Sequence, residues 1–188
     1  GYYTSAEQAL DQAMIQAVSI STTAGFATTD FSIWPTFLPI MLIFSSFIGG
    51  CASSTGGGLK VVRVCLLFLQ GKREVDRLIH PKAVYSVKFG DRAMPDRVVE
   101  AVWGFFSAYA VVFVVLMIGL IATGLDNLSA FTATAAMLNN LGPGLGSVAA
   151  NYADVTDAGK WILVTGMVFG RLEVFSLLVL FSPTFWRS

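Results

Sequence analysis

Ser21-Thr22-Thr23-Ala24-Gly25-Phe26-Ala27-Thr28-Thr29-Asp30 decides how the chain folds, because of what stands before it. The stretch Ala6 to Ile20 is apolar but too short to cross about 30 Å of hydrocarbon, which takes about 20 residues. A half-crossing helix that ends in a glycine loop is a re-entrant element. Irregular backbone at membrane depth is tolerated only where protein buries it or where it lines water, since its polar groups are otherwise unsatisfied. The same pattern returns further on, where Leu128 to Leu138 leads into Asn139-Asn140-Leu141-Gly142-Pro143-Gly144. Setting residue 142 against residue 25 gives an offset of 117.

Outward from these loops, the composition is that of a membrane protein. The chain has 188 residues, 55% hydrophobic and 13% charged, with a mean hydropathy of +0.69. A soluble domain carries roughly 25% charged residues. The net charge is zero, and no basic, aromatic face of the kind that binds single strands is present. Cys51 and Cys65 have no CxxC spacing or histidine partner and read as inert packing thiols, and His80 beside Pro81 reads as a solvated loop residue. The N-terminal residues lack an initiator Met, a basic region and an apolar signal core, so we expect the chain to begin within a longer protein.

Val98 to Thr123 and Trp161 to Phe181 are long enough to cross as single helices, whereas Phe37 to Gln70 is interrupted by Gly49-Gly50-Cys51-Ala52-Ser53-Ser54-Thr55-Gly56-Gly57-Gly58. The expected fold class is all-α integral membrane, with repeated helix, pore-helix, helix units around a central pore. Residues 1–70 supply a pore helix, filter loop and broken inner helix. Residues 71–96 form a connector, and residues 97–188 form a complete second repeat. The offset of 117 sets Ser54 against Arg171, so both halves are expected to depart from plain helix at one depth. Nine of the twelve Lys and Arg residues fall between Lys60 and Arg97, which makes the connector cytoplasmic and the protein multi-pass. The filter-like loops then open on the far side, near Asp30, Asp126, Asp154 and Asp157. Those carboxylates serve either as caps or as a field that concentrates cations.

A potassium filter replaces the ion's hydration shell with backbone carbonyls where a pore helix ends. Thr22, Thr23, Ala24 and Gly25 suit that chemistry, Thr offering carbonyl or hydroxyl oxygens and Gly25 a torsion that side chains forbid. Asn139, Asn140, Leu141 and Gly142 are the second set, with Asn140 in place of Thr and Pro143 fixing one torsion. Potassium is expected at the backbone or side-chain oxygens of Thr22, Thr23, Asn140 and Leu141. Ordinary close packing of small residues between membrane helices is the other reading of either loop.

The glycine-rich run cannot hold a helix, since each glycine costs about 1 kcal/mol relative to Ala. Gly49, Gly50, Gly56, Gly57 and Gly58 are expected to make a movable flap below the filter, or else a close helix-packing surface. Arg171 sits in the middle of an apolar segment, where a cation is costly unless it has a partner or faces water. It acts either as an electrostatic barrier under the filter or within a buried ion pair, and Glu173, two residues on, is a poor partner for it.

Ser21 to Asp30 and Asn139 to Gly144 resemble filter segments of the Trk/Ktr/HKT superfamily of potassium transporters, and within it the TrkH-like branch. The run Gly49 to Lys60 resembles that family's intramembrane gating loop, and Gly170-Arg171 its pore-facing arginine position. The resemblance covers nearly the whole chain, from the third pore helix through the fourth repeat. It implies four repeats around one pore, two of them elsewhere in the same longer protein. It also implies a homodimer in a bacterial inner membrane, in contact with lipid, with a cytoplasmic nucleotide-binding regulator of the TrkA kind. Potassium is the transported ligand, and no cofactor is implied. The expected function is potassium or monovalent-cation uptake through a filter-lined, gated pore. A secondary transporter that couples cation or substrate movement to an ion gradient also uses broken helices in repeated positions. An enzyme is not expected, since no nucleophile, base or metal cluster converges.

Overall fold

The computed structural model describes residues 3, 5–35, 37–50, 56–83 and 85–172. Six helices account for most of them: α1 (Ala6–Ser21), α2 (Phe37–Ile48), α3 (Val61–Ile79), α4 (Asp96–Ala122), α5 (Asn127–Leu138) and α6 (Asp157–Arg171). A minimal antiparallel hairpin, β1 (Lys88–Phe89) and β2 (Arg92–Ala93), joins α3 to α4.

Local chemistry sets most of the boundaries. Ser5 caps α1 by accepting from the Gln8 amide at 3.2 Å, Asp126 caps α5 through the Ser129 amide at 3.1 Å, and Thr156 caps α6 through the Gly159 amide at 3.2 Å. Helix α4 has 27 residues and is, among the described residues, the one helix long and apolar enough to cross a membrane. Helices α1 and α5, at 16 and 12 residues, are the short ones expected of re-entrant elements.

Helix α5 is the centre of the structure. Ser129, Ala130 and every residue from Thr132 to Leu138 are buried, against α4 and α6 on one side and α2 on the other. Small side chains allow this approach. Ala130, Ala133, Ala135 and Ala136 bring neighbouring backbones near, and Gly166 of α6 leaves room for Leu116 and Met137. Helix α1 buries only Gln16, Ser19 and Ile20, while Leu10, Met14 and Val18 face outward. In a membrane protein such a face meets lipid or another part of the protein rather than water.

The structure adds detail to the sequence reading. Helix α3 continues past residue 70 to Ile79, so Lys72, Arg73 and Arg77 are helical rather than part of a loop. Arg73 turns inward and meets Asp96, the first residue of α4, at 2.6 Å, which fastens the charged end of α3 to the start of α4. Helix α6 ends at Arg171, the position that the offset set against Ser54, and Ser54 itself lies outside the described residues. Helix α2 stops at Ile48, whereas the position 117 residues on, Thr165, lies inside α6, which continues to Arg171. Paired glycines explain the stop, since Gly49 takes a φ of +66°. Residues 173–188, with Glu173 and the rest of the expected Trp161 to Phe181 span, lie outside the described residues.

Candidate functional site

Helices α1 and α5 end in the same way, residue for residue. Thr22 and Asn139 close them with φ, ψ of −87°, −1° and −86°, −2°. Thr23 and Asn140 then turn left-handed, at φ +57° and +53°. The Thr23 amide donates to the Ile20 carbonyl at 3.1 Å and the Ala24 amide to Ser19 at 2.8 Å. Their counterparts, Asn140 to Met137 and Leu141 to Ala136, measure 3.0 and 2.7 Å. This is the paired bonding of a Schellman ending, in which one residue must adopt the left-handed conformation. Asparagine tolerates that conformation, which accounts for Asn140 where the first loop has a threonine. Thr23, β-branched, is held there against its preference. Gly25 and Gly142 follow at φ +78° and +100°.

The loops meet. A Cβ on Gly25 would overlap the Leu141 carbonyl oxygen, so the first loop lies against the backbone of the second. Above them opens a cavity of about 730 Å³ whose lining includes Gly25, Thr28, Asp30, Gly142 and Tyr152. Asp30 is both a cap and a cavity residue: hydrogen bonds from Ser32, including its amide at 2.9 Å, hold the carboxyl below its ordinary value and keep it charged.

Side chains that the sequence reading passed over hold the chain beyond each of these loops. In the first repeat Thr28 donates to Gln12 Oε1 at 2.6 Å, Gln16 Nε2 to the Thr29 carbonyl at 3.2 Å and Ser19 Oγ to the Phe26 carbonyl at 2.6 Å. In the second, Thr132 Oγ1 accepts from the Leu145 amide at 3.0 Å, Ser129 Oγ accepts from the Ser147 amide at 2.8 Å, and Tyr152 donates to the Gly142 carbonyl at 2.8 Å. The available signal was polar side chains at helical spacing, Gln12, Gln16 and Ser19 in one helix and Ser129 and Thr132 in the other, inside otherwise apolar stretches.

Below the loops lies the end of the glycine-rich run. The Gly57 amide donates to Thr23 Oγ1 at 3.2 Å, and a Cβ on Gly57 would overlap the Asn139 carbonyl, so this one residue touches both loops. Gly58, at φ +81°, packs on the carbonyls of Ser46 and Phe47, while Leu59 and Val61 donate back to Phe47 and Gly50 at 2.8 and 3.3 Å. Gly49 faces the Gly57 carbonyl. Gly56 is described, whereas residues 51–55, with Cys51, lie outside the described residues. Cys65 is on an exposed face of α3.

The structure separates the roles of the filter candidates. Thr22 Oγ1 is turned back to the Val18 carbonyl at 2.7 Å, and Thr23 Oγ1 faces Gly57. The Asn139 side chain is fully buried and committed elsewhere: it accepts from Tyr109 of α4 at 2.5 Å and donates to Ser46 of α2 at 2.8 Å. Ala24, Leu141 and the two glycines have only backbone oxygens to offer. Gly170 abuts the Leu138 carbonyl and the Asn140 side chain, which puts Arg171, the last residue of α6, next to the base of the second loop.

Known proteins share this arrangement. The TrkH family, described as cation transport proteins, matches residues 2–188. The Trk system potassium uptake protein TrkH of Vibrio parahaemolyticus is 68% identical over 186 residues, 99% of this chain and 38% of that protein. TrkH of Escherichia coli K12 is 62% identical over the same shares, and TrkG of that organism is 41% identical over 172 residues. The crystal structure of the potassium transporter TrkH from Vibrio parahaemolyticus superposes with a TM-score of 0.92 at 67% identity, covering 99% of this chain and 40% of that one. The chain thus spans about two fifths of the length of the relatives it matches. It belongs to the TrkH family of cation transport proteins.

Proposed function

We propose that the chain supplies two of four filter segments in a potassium-uptake pore, with the glycine-rich run as its gate. The observation that carries the reading is the pairing of two identically terminated re-entrant helices whose glycine loops abut, Gly25 on Leu141. Carbonyls at two loops that share one place can replace water around a dehydrated monovalent cation, whereas isolated loops cannot. Carbonyl oxygens of Thr22, Thr23, Ala24 and Gly25, and of Asn140, Leu141 and Gly142, are the proposed ligands; Asn139 contributes through its backbone alone. Gly49, Gly50, Gly56, Gly57 and Gly58 form the closed gate, and Arg171 adds an electrostatic barrier beside it.

The relatives are named potassium uptake proteins, and the rest of the assembly follows that family. Two further repeats of the same protein complete the ring, in a multi-pass protein of the bacterial inner membrane. The whole works as a homodimer with a cytoplasmic nucleotide-binding regulator docked on the basic stretch from Lys72 to Arg97. The test is isotopic rubidium uptake into vesicles holding the full-length protein, with and without competing sodium. Uptake that persists in excess sodium and is independent of a proton or sodium gradient is expected; uptake that stops without such a gradient would move the protein to the coupled-transporter class.

A further inference from the structure

The two filter loops are braced by different means, and the difference falls on named positions. In the first repeat the pore helix holds its own loop, Ser19 Oγ donating to the Phe26 carbonyl at 2.6 Å. The offset of 117 sets Ala136 and Pro143 at those two places, so the second pore helix has no hydroxyl at the Ser19 position, and its Ser129 and Thr132 hydroxyls bond further along, at Ser147 and Leu145. Tyr152 reaches the second loop from the opposite direction, ten positions beyond Gly142, and donates to its carbonyl at 2.8 Å. Pro35 stands where the first repeat would carry a matching tyrosine.

The Tyr152 ring packs on the core made by Leu120, Ala130, Ala133, Met137, Val148 and Val155, so the hydroxyl stands on the rigid part of the protein. Gly144 leaves it room: a Cβ there would stand 3.3 Å from Oη and closer still to Val148. A Cβ on Gly142 would meet open space among the described residues, and the Tyr152 hydroxyl is the side-chain donor recorded at its carbonyl. Burial pushes the phenol above its ordinary value, so it is protonated, and a donor, throughout the neutral range.

We infer that Tyr152 is a positioning residue for ion discrimination: its hydroxyl, anchored in the core, fixes the Gly142 carbonyl and with it the width of the second filter loop. Discrimination between cations that differ only in size depends on how firmly the coordinating carbonyls hold their places. Tyr152 does not touch the ion. This inference rests on the filter reading above.

The experiment compares wild-type full-length protein with Tyr152→Phe, which removes one oxygen and leaves the ring. The readout is the ratio of rubidium to sodium uptake in vesicles at equal protein content. The ratio is expected to fall about fivefold, the factor that one net hydrogen bond of about 1 kcal/mol sets. An unchanged ratio in Tyr152→Phe, with or without a lower total flux, overturns the inference. Where flux is too weak to read, the difference in thermal stabilisation of the purified protein by rubidium and by sodium chloride takes its place, and equal differences in wild type and variant overturn it as well. A wild-type protein that takes up no rubidium would instead remove the filter reading.

Discussion

Gly25 faces the carbonyl oxygen of Leu141 with no space between them for a Cβ. One loop therefore forms part of the wall of the other, and a change in either alters the shared surface. Gly25 and Gly142 occupy equivalent positions, yet their surroundings differ, since a Cβ on Gly142 would meet open space.

Gly25→Ala therefore combines left-handed strain of about 1–2 kcal/mol with a direct overlap, whereas Gly142→Ala carries the strain alone. Rubidium uptake is expected to fall more than tenfold in the first variant and less in the second, at equal amounts of membrane-inserted protein. Equal losses would show that the Leu141 contact is unimportant.

Gly57 touches Thr23 and Asn139 together, one from each loop. Gly57→Ala places a methyl into the Asn139 carbonyl and must lift the run from its seat. Uptake is expected to rise severalfold with the rubidium-to-sodium ratio unchanged. A normally expressed variant with wild-type flux would argue that the run packs helices and does not gate.

Arg171 ends α6 beside the second loop. If it opposes cations electrostatically, Arg171→Ala raises flux and Arg171→Lys keeps it near wild type. If it holds helices together, the alanine variant loses yield and thermal stability instead. Flux and melting temperature measured on one preparation separate the two, and the barrier reading expects higher flux.

Asp126 caps α5, and hydrogen bonds from Ser129, its side chain first, hold the carboxyl below its ordinary value of 3.8. A carboxyl depressed in the folded state contributes stability that is present above 3.8 and lost as pH falls below it, through the folded value. Asparagine also caps helices but does not titrate. Asp126→Asn is expected to melt within a few degrees of wild type at neutral pH and to lose less on acidification, whereas Asp126→Ala costs about 1 kcal/mol at neutral pH. Thermal unfolding in detergent at pH 7 and pH 3.5 checks both.

What could be read from the residues themselves was whatever depends on near neighbours and on solvent. The run of apolar residues picked out Ala6 to Ile20 and Leu128 to Leu138 as short helices, close to the observed α1 and α5, and glycine's freedom at positive φ marked Gly25, Gly142 and the stop after Ile48. The 117-residue offset paired Thr23 with Asn140 before any coordinates, although only the shared left-handed turn explains why those two residue types are interchangeable there. The offset also set Ser54 against Arg171: α6 ends at Arg171, Ser54 lies outside the described residues, and α2 stops earlier, at Ile48. A single Gly166 in a packed helix is tolerated, whereas Gly49 and Gly50 together are not.

The residue sequence thus determined where the backbone turns, since turning is governed by a few consecutive torsions and by the unsatisfied groups each turn exposes. Only the tertiary structure decided which turns meet: Gly25 on Leu141, Gly57 beneath both loops, Asn139 between Tyr109 and Ser46, and Tyr152 on Gly142. Asn139 and Ser46 stand 93 positions apart, and no local propensity encodes that pairing. It follows from the burial of α5, whose small residues admit α2 and α4 closely enough for a carboxamide to span them.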